Sequence, residues 1–191
     1  MSADPSAYFA PARIDVQFGA VTQLVASLEN LDAWAKKLAD ETSWGWAGAL
    51  ESDPFQARTG PQVASAADPD RNLDGALARE QLALFSGHTC DVWNGVLWPA
   101  LIALPELAAV QYLPTSALPP LERQLLAIGV GVIQSPDILL VAAPADGFSP
   151  QEKAIVLRRL AELAEIQKIS VVVLSQPHQT LEHMLDPIWL N

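Results

Sequence analysis

Apolar residues recur at spacings of three and four from Leu121 through Leu125, Ile128 and Val132, with Leu126, Val130 and Ile133 widening the stripe. That pattern predicts a largely buried helix. Pro119 and Pro120 block any helix before it and preset its first turn, and Gln134-Ser135-Pro136-Asp137 ends it. Ile138 to Ala143 is then a continuous apolar run between Pro136 and Pro144, as in a central strand covered on both faces. Ser149, Pro150 and Glu152 have the N-cap, N1 and N3 identities of a helix that runs to Gln167, buried along Ile155, Val156, Leu160, Leu163 and Ile166. Ile169 to Ser175 is β-branched and apolar, a second central strand, so the intervening helix is the crossover of a βαβ unit in a parallel sheet.

Upstream the pattern is less regular. Residues 1–12 are small, polar and Pro-containing and read as a flexible arm. Ile14 to Phe18 alternates, Gly19 turns the chain and Val21 to Leu28 alternates again, which predicts an antiparallel edge hairpin over 14–29. Leu31 to Glu41 is an amphipathic helix with Leu31, Trp34, Ala35 and Leu38 on one face and Lys36 and Lys37 in solvent. From Thr42 to Asp70 no period holds; Trp44 and Trp46 at its head either anchor the loop to the core or form an exposed contact patch. Arg71 to Leu84 reads as a short helix and a strand, Thr180 to Leu185 as a short helix and Pro187 to Asn191 as a final strand.

The chain has 191 residues, half of them apolar, enough for one α/β domain with a sizeable core. A net charge of −11 argues against a nucleic-acid surface or a polybasic lipid-binding face. Cys90 is the single cysteine and stands in no metal-binding pattern, so no intrachain disulfide and no metal or other cofactor is expected. No apolar run suits a signal peptide or a spanning helix, and the expected location is cytoplasmic. Asp146, His178 and His183 form no triad, metal or nucleophile pattern.

Leu118 to Pro150 resembles, without a gap, the second half of an ATP-binding cassette (ABC) ATPase domain. There the pattern runs from LSGGQ through a helix to a strand ending in Asp-Glu-Pro. Leu118, Arg123, Gln124, Ala127, Ile128, Pro136, Ile138, Leu139, Leu140, Pro144, Gly147 and Pro150 fit that pattern or its common variants. Residues 14–29 and 71–99 resemble the family's opening strands and its passage toward the permease; residues 30–70 show no likeness. The resemblance implies a P-loop-NTPase-like, mostly parallel sheet flanked by helices, with a small antiparallel N-terminal strand region (14–29) and a helical subdomain (86–117). The signature helix to the final strand would occupy 118–191, all within one domain of residues 1–191.

At each chemically active position implied by the resemblance the chain departs. The signature Ser and glycines, which hold the γ-phosphate of ATP on a partner subunit, are Pro119, Pro120 and Leu121; proline has no N–H to give. The magnesium-holding Asp and the water-orienting Glu are Ala142 and Ala143. The Asp of the next loop is Ser149, the switch His is Gln176 and the magnesium-sensing Gln is Ser86. No glycine-rich phosphate loop GxxxxGK[ST] occurs anywhere in the chain.

These departures imply a catalytically inactive ABC-ATPase-like protein, a structural or regulatory subunit that pairs with an ABC permease or an active ATPase, a dimer being one form of that pairing, and is peripheral to the membrane at most. Trp93, Leu97, Trp98 and Ile102, in the neighbourhood that receives a permease in the family, are the candidate docking residues. The alternative is a free-standing soluble adaptor or small-ligand-binding protein that reuses the scaffold, with a pocket near Trp44 to Trp46.

Overall fold

Ile138, Leu139, Leu140 and Val141 send alternate side chains to the two faces of a sheet, and all four are fully buried. That two-sided burial is why the run is continuously apolar. The computed structural model describes residues 14–38, 44–46, 61–66, 76–85, 104–144, 147–179 and 188–190. Its strands are β1 (Ile14–Val16), β2 (Val21–Val25), β3 (Trp44–Trp46), β4 (Val63–Ala66), β5 (Ile138–Ala142), β6 (Ser170–Ser175) and β7 (Ile188–Trp189). Its α-helices are α1 (Leu28–Leu38), α2 (Ala78–Phe85), α3 (Pro105–Val110), α4 (Pro120–Ile133) and α5 (Pro150–Gln167).

Five strands form one parallel sheet in the order β4-β5-β6-β2-β7. Leu139 and Val141 of β5, with Val171 and Val173 of β6, face a core closed by α2, α3, α4 and α5. Ile138 and Leu140, with Val172, Leu174 and Leu24, face a second core closed by Trp34 and Leu38 of α1 and by β1. Each large aliphatic side chain taken fully out of water here contributes roughly 1.5–3 kcal/mol. The sheet is therefore held from both sides.

Helix ends follow local chemistry. Ser149 caps α5: its Oγ accepts from the Glu152 N–H at 3.2 Å and the Glu152 carboxylate accepts from the Ser149 N–H at 2.7 Å. Helix α4 has Pro119 as cap and Pro120 at its start. Ser135 and Lys168, with φ of 51° and 55°, turn the chain out of α4 and α5 into the next strands. On the flank, α2 and α3 press so closely on α4 that a Cβ at Gly129 would stand 3.2 Å from Leu82 and Leu107. The small residue leaves little room between the three helices.

The predicted helix-strand-helix-strand order of the second half is present. The N-terminal hairpin is not: β1 and β2 lie in different sheets and each pairs in parallel, β1 with β3 and β2 between β6 and β7. Polar residues on β2 suggested a solvent face, yet Gln23 is buried by hydrogen bonding. Residues 81–85 continue α2 instead of forming a strand. Within 30–70, β3 and β4 are strands that no periodicity marked, Val63–Ala66 being too short and small to show alternation. The arm 1–12, most of the expected helical subdomain (86–103) and the expected helix at 180–185 lie outside the described residues.

Candidate functional site

In an open parallel α/β sheet, ligands bind beyond the carboxyl ends of the strands. By the resemblance, the ends of β2, β5 and β6 are the places expected for a phosphate loop, a metal-holding carboxylate and a switch residue.

Strand β2 passes into α1 through Ala26 and Ser27 alone. A phosphate loop of the form GxxxxGK[ST] makes this same strand-to-helix connection with about eight residues, so that successive N–H groups curl round an anion. Two residues leave no such concavity. Ala26 is buried, and its N–H donates to the Ser175 carbonyl at 3.0 Å. The Val25 carbonyl accepts from the Leu190 N–H at 2.7 Å.

Strand β5 ends on Ala142 and Ala143. The Ala142 carbonyl accepts from the Gln124 amide at 2.9 Å, and the Ala143 N–H donates to the Leu174 carbonyl at 2.8 Å. Both side chains at this strand end are methyl groups. Such groups can neither ligate a hard cation nor take a proton.

Strand β6 ends on Ser175 and Gln176. The buried Gln23 amide donates to Ser175 Oγ at 2.7 Å and to the Gln179 carbonyl at 3.3 Å, while Ser175 Oγ donates to the Leu24 carbonyl at 3.2 Å. The Gln176 N–H donates to the Gln179 side-chain oxygen at 3.1 Å, fixing the tight turn Pro177–Gln179. A neutral, mutually satisfied cluster thus joins the ends of β2 and β6. None of its side chains carries charge near neutral pH.

At the start of α4, Pro119 and Pro120 are exposed and Leu121 is buried. The Arg123 N–H donates to the Pro119 carbonyl and its guanidinium to the Leu118 carbonyl at 3.1 Å. Two backbone donors are missing where an anion would bind, and Glu122 in the first turn adds negative charge. Ser149 has a structural duty as the α5 cap, and the carboxyl of Glu152 is held below its ordinary range by the hydrogen bonds from Ser149.

The structure therefore brings Ala142, Ala143 and Gln176 to one edge, with Pro119, Pro120 and Leu121 at the head of α4. Ser86, Trp93, Leu97, Trp98, Ile102, Cys90, Asp146 and His183 lie outside the described residues, and His178 is exposed in the turn after β6. Sequence reasoning gave no role to Gln23, Gln124 or Gln179; for Gln23 and Gln124 the available signal was an amide inside an otherwise apolar strand or helix face, whereas Gln179 lies in the turn after β6. A cleft of about 230 Å³ lies at the opposite, amino edge of the sheet, between the ends of α4 and α5 and lined by Ser135, Asp137, Gln167 and Lys168. Among the described residues no group of His, Cys, Asp and Glu could hold a metal ion, and no helix is long and apolar enough to cross a membrane.

No protein-family model and no curated protein matches the sequence. Solved structures do match in fold. An ABC transporter described as of metal-chelate type, in an inward-facing conformation, superposes with a TM-score of 0.68 at 16% identity, over 91% of this chain and 70% of that one. The ATP-binding subunit of an ABC transporter gives 0.63 at 17% identity, over 92% and 76%. The cbiO1 protein of Clostridium perfringens, part of the ABC transporter complex cbiONQ, gives 0.62 at 14% identity, over 84% and 68%. A parallel sheet of this order, flanked by these helices and superposing on three such proteins, gives the chain the fold of an ABC-transporter ATPase subunit.

Proposed function

We propose that this chain is a catalytically inactive ABC-ATPase-like protein that works through protein contacts, as a structural or regulatory subunit alongside an ABC permease or an active ABC ATPase. The observation that carries this reading is the two-residue passage from β2 to α1 through Ala26 and Ser27. Without a cradle the phosphates of ATP have no donors to meet, and without carboxylates on Ala142 and Ala143 a magnesium ion has no anchor. Preorganised donors and charges of this kind typically supply orders of magnitude in phosphoryl-transfer rate.

The resemblance adds a consequence for pairing. In the family a signature motif serves ATP held by the other subunit. A mixed pair with an active ATPase would then lack the cradle at one shared site and the signature donors, at Pro119 and Pro120, at the other. In such a pair this chain restrains its partner, and its place is the inner face of the membrane through that partner.

Two measurements test the reading. Calorimetric titration of the purified chain with MgATP is expected to show no tight binding; saturable binding with turnover above any contaminating ATPase overturns it. Copurification of the tagged chain from its own cells in mild detergent is expected to recover a permease or an intact ABC ATPase in stoichiometric amount. Recovery of the chain alone from the soluble fraction favours a free-standing adaptor or ligand-binding protein.

A further inference from the structure

Helices α4 and α5 both end at the cleft of about 230 Å³ on the amino edge of the sheet. Val132, Pro136 and Ile169, all buried, give it an apolar floor; Ser135 and Lys168, exposed, and Asp137, half-buried, give it a polar rim. Two charges of opposite sign thus share one small cleft without pairing, for the Lys168 ammonium has no hydrogen-bond or ion-pair partner among the described residues. Asp137 is held in place from another side. Its carboxylate accepts from the Gln62 N–H at 2.8 Å, its N–H donates to the Gln62 carbonyl at 2.8 Å and its carbonyl accepts from the Ser170 N–H at 2.9 Å. A carboxylate has about four acceptor sites, so one anchored in this way is oriented to take a further donor. Ser135 and Lys168 are also the two non-glycine residues with positive φ among the described residues. Glycine ends a helix in that conformation without strain. A hydroxyl-bearing and an ammonium-bearing residue therefore stand at the cleft at a cost that turning the chain does not require.

We propose that this cleft binds a small aliphatic α-amino acid as its zwitterion, with the ligand carboxylate on Lys168 and the ligand ammonium on Asp137. The carboxyl ends of α4 and α5, each worth about half a negative charge, add to the pull on the ammonium. In a chain of net charge −11 a carboxylate needs a cation at hand, and Lys168 is the cation on this rim. The apolar floor receives a short aliphatic side chain. Size sets the limit: the volume falls below the roughly 300–1,000 Å³ of pockets that hold drug-sized molecules, so a nucleotide or larger cofactor does not fit.

This inference goes beyond the subunit reading and does not depend on it, because its test contains neither nucleotide nor transporter. Amide NMR spectra of the full chain titrated with L-valine are expected to show saturable shifts centred on Ser135, Asp137, Lys168 and Ile169, with a Kd on the order of a millimolar, as a ligand of so few atoms allows. Isobutylamine, which lacks the carboxylate, and isovalerate, which lacks the ammonium, are each expected to bind at least roughly tenfold more weakly. Lys168→Asn removes the ammonium with a residue that tolerates the left-handed turn, and Asp137→Asn keeps an acceptor for the Gln62 N–H. Each is expected to weaken valine binding at least roughly tenfold. Lys36→Gln, on the exposed face of α1, serves as the control and leaves binding unchanged. Valine that gives no saturable shift at concentrations on the order of tens of millimolar overturns the proposal. So do shifts centred elsewhere, an analogue that binds as tightly as valine, or binding that Lys168→Asn leaves intact.

Discussion

Gln23 of β2 and Ser175 of β6 are joined by a hydrogen bond of 2.7 Å, inside the sheet and at the strand ends where this fold otherwise handles phosphate. The Ser175 hydroxyl accepts from Gln23 and donates to the Leu24 carbonyl, so both sides of it are used. Ser175→Ala removes that acceptor from a fully buried amide. It is expected to cost about 1–3 kcal/mol, because an unsatisfied buried donor loses its share of water without replacement. Urea unfolding of the two proteins measures this as a lower midpoint at an unchanged slope; an equal midpoint would show that the bond contributes nothing.

Restoring the missing carboxylates is not expected to restore chemistry. In the double variant Ala142→Asp, Ala143→Glu, the two groups would stand at the end of β5, but β2 still reaches α1 through Ala26 and Ser27. A magnesium site with no cradle beside it holds the metal and not the nucleotide. The expected phosphate release with MgATP equals that of the parent chain. Turnover in the double variant alone would show that the phosphates find donors elsewhere, and the proposed function would fail.

The second half of the fold was legible because its pattern and its burial agree, save at Ile166, which was expected on the buried stripe of α5 and is 65% exposed. Ile138 to Val141 and Val171 to Leu174 are apolar on both faces and lie between helices on both faces. Ser149 and Glu152 spell a cap that the structure forms. The first half misled for a physical reason. Gln23 in Val21–Val25 reads as the polar beat of an edge strand, yet Ser175 and the Gln179 carbonyl satisfy its amide inside the sheet. The partners lie about 150 residues away, at separations of 152 and 156, and no local window contains them. Ala142, Ala143, Pro119 and Pro120 were legible as departures from a known pattern. The absence of a GxxxxGK[ST] motif took on structural meaning only once β2 was seen as an interior strand leading directly into α1.

Glu106 of α3 and Arg159 of α5 predict an acid sensitivity. The guanidinium meets the carboxylate at 2.8 Å and also contacts Glu162, and both side chains are about four-fifths buried. Burial raises the Glu106 carboxyl, but the hydrogen bonds and the positive charge of Arg159 outweigh it and hold the group below its ordinary 4.5. A carboxyl depressed on folding stabilises the fold above its unfolded value, and that contribution is lost as pH falls through the folded value. Glu106→Gln is expected to cost on the order of 1–2 kcal/mol near neutral pH, between an exposed and a fully buried pair. The gap between variant and parent should narrow steadily below about pH 4.5 as the parent's own carboxylate protonates. Urea midpoints measured across that range decide it: a gap constant with pH would assign the cost to packing and not to charge.

Gly129 supplies the last test, of the packing that joins the flanking helices to the sheet. A Cβ there would lie 3.2 Å from Leu82 of α2 and Leu107 of α3 and 3.5 Å from Leu104, all three of them fully buried. Gly129→Ala places one methyl against side-chain ends that can give by a few tenths of an ångström, and a helical alanine recovers part of that cost through its better propensity. Gly129→Val adds two more methyl groups to a space already filled on three sides, and relief then requires α2 or α3 to move off α4. The expected losses are therefore graded, near zero for alanine and about 1–3 kcal/mol for valine. Thermal unfolding followed by circular dichroism gives both values. If valine costs no more than alanine, the three helices do not meet as closely as Leu82, Leu107 and Gly129 place them, and the flank is free to shift against the sheet.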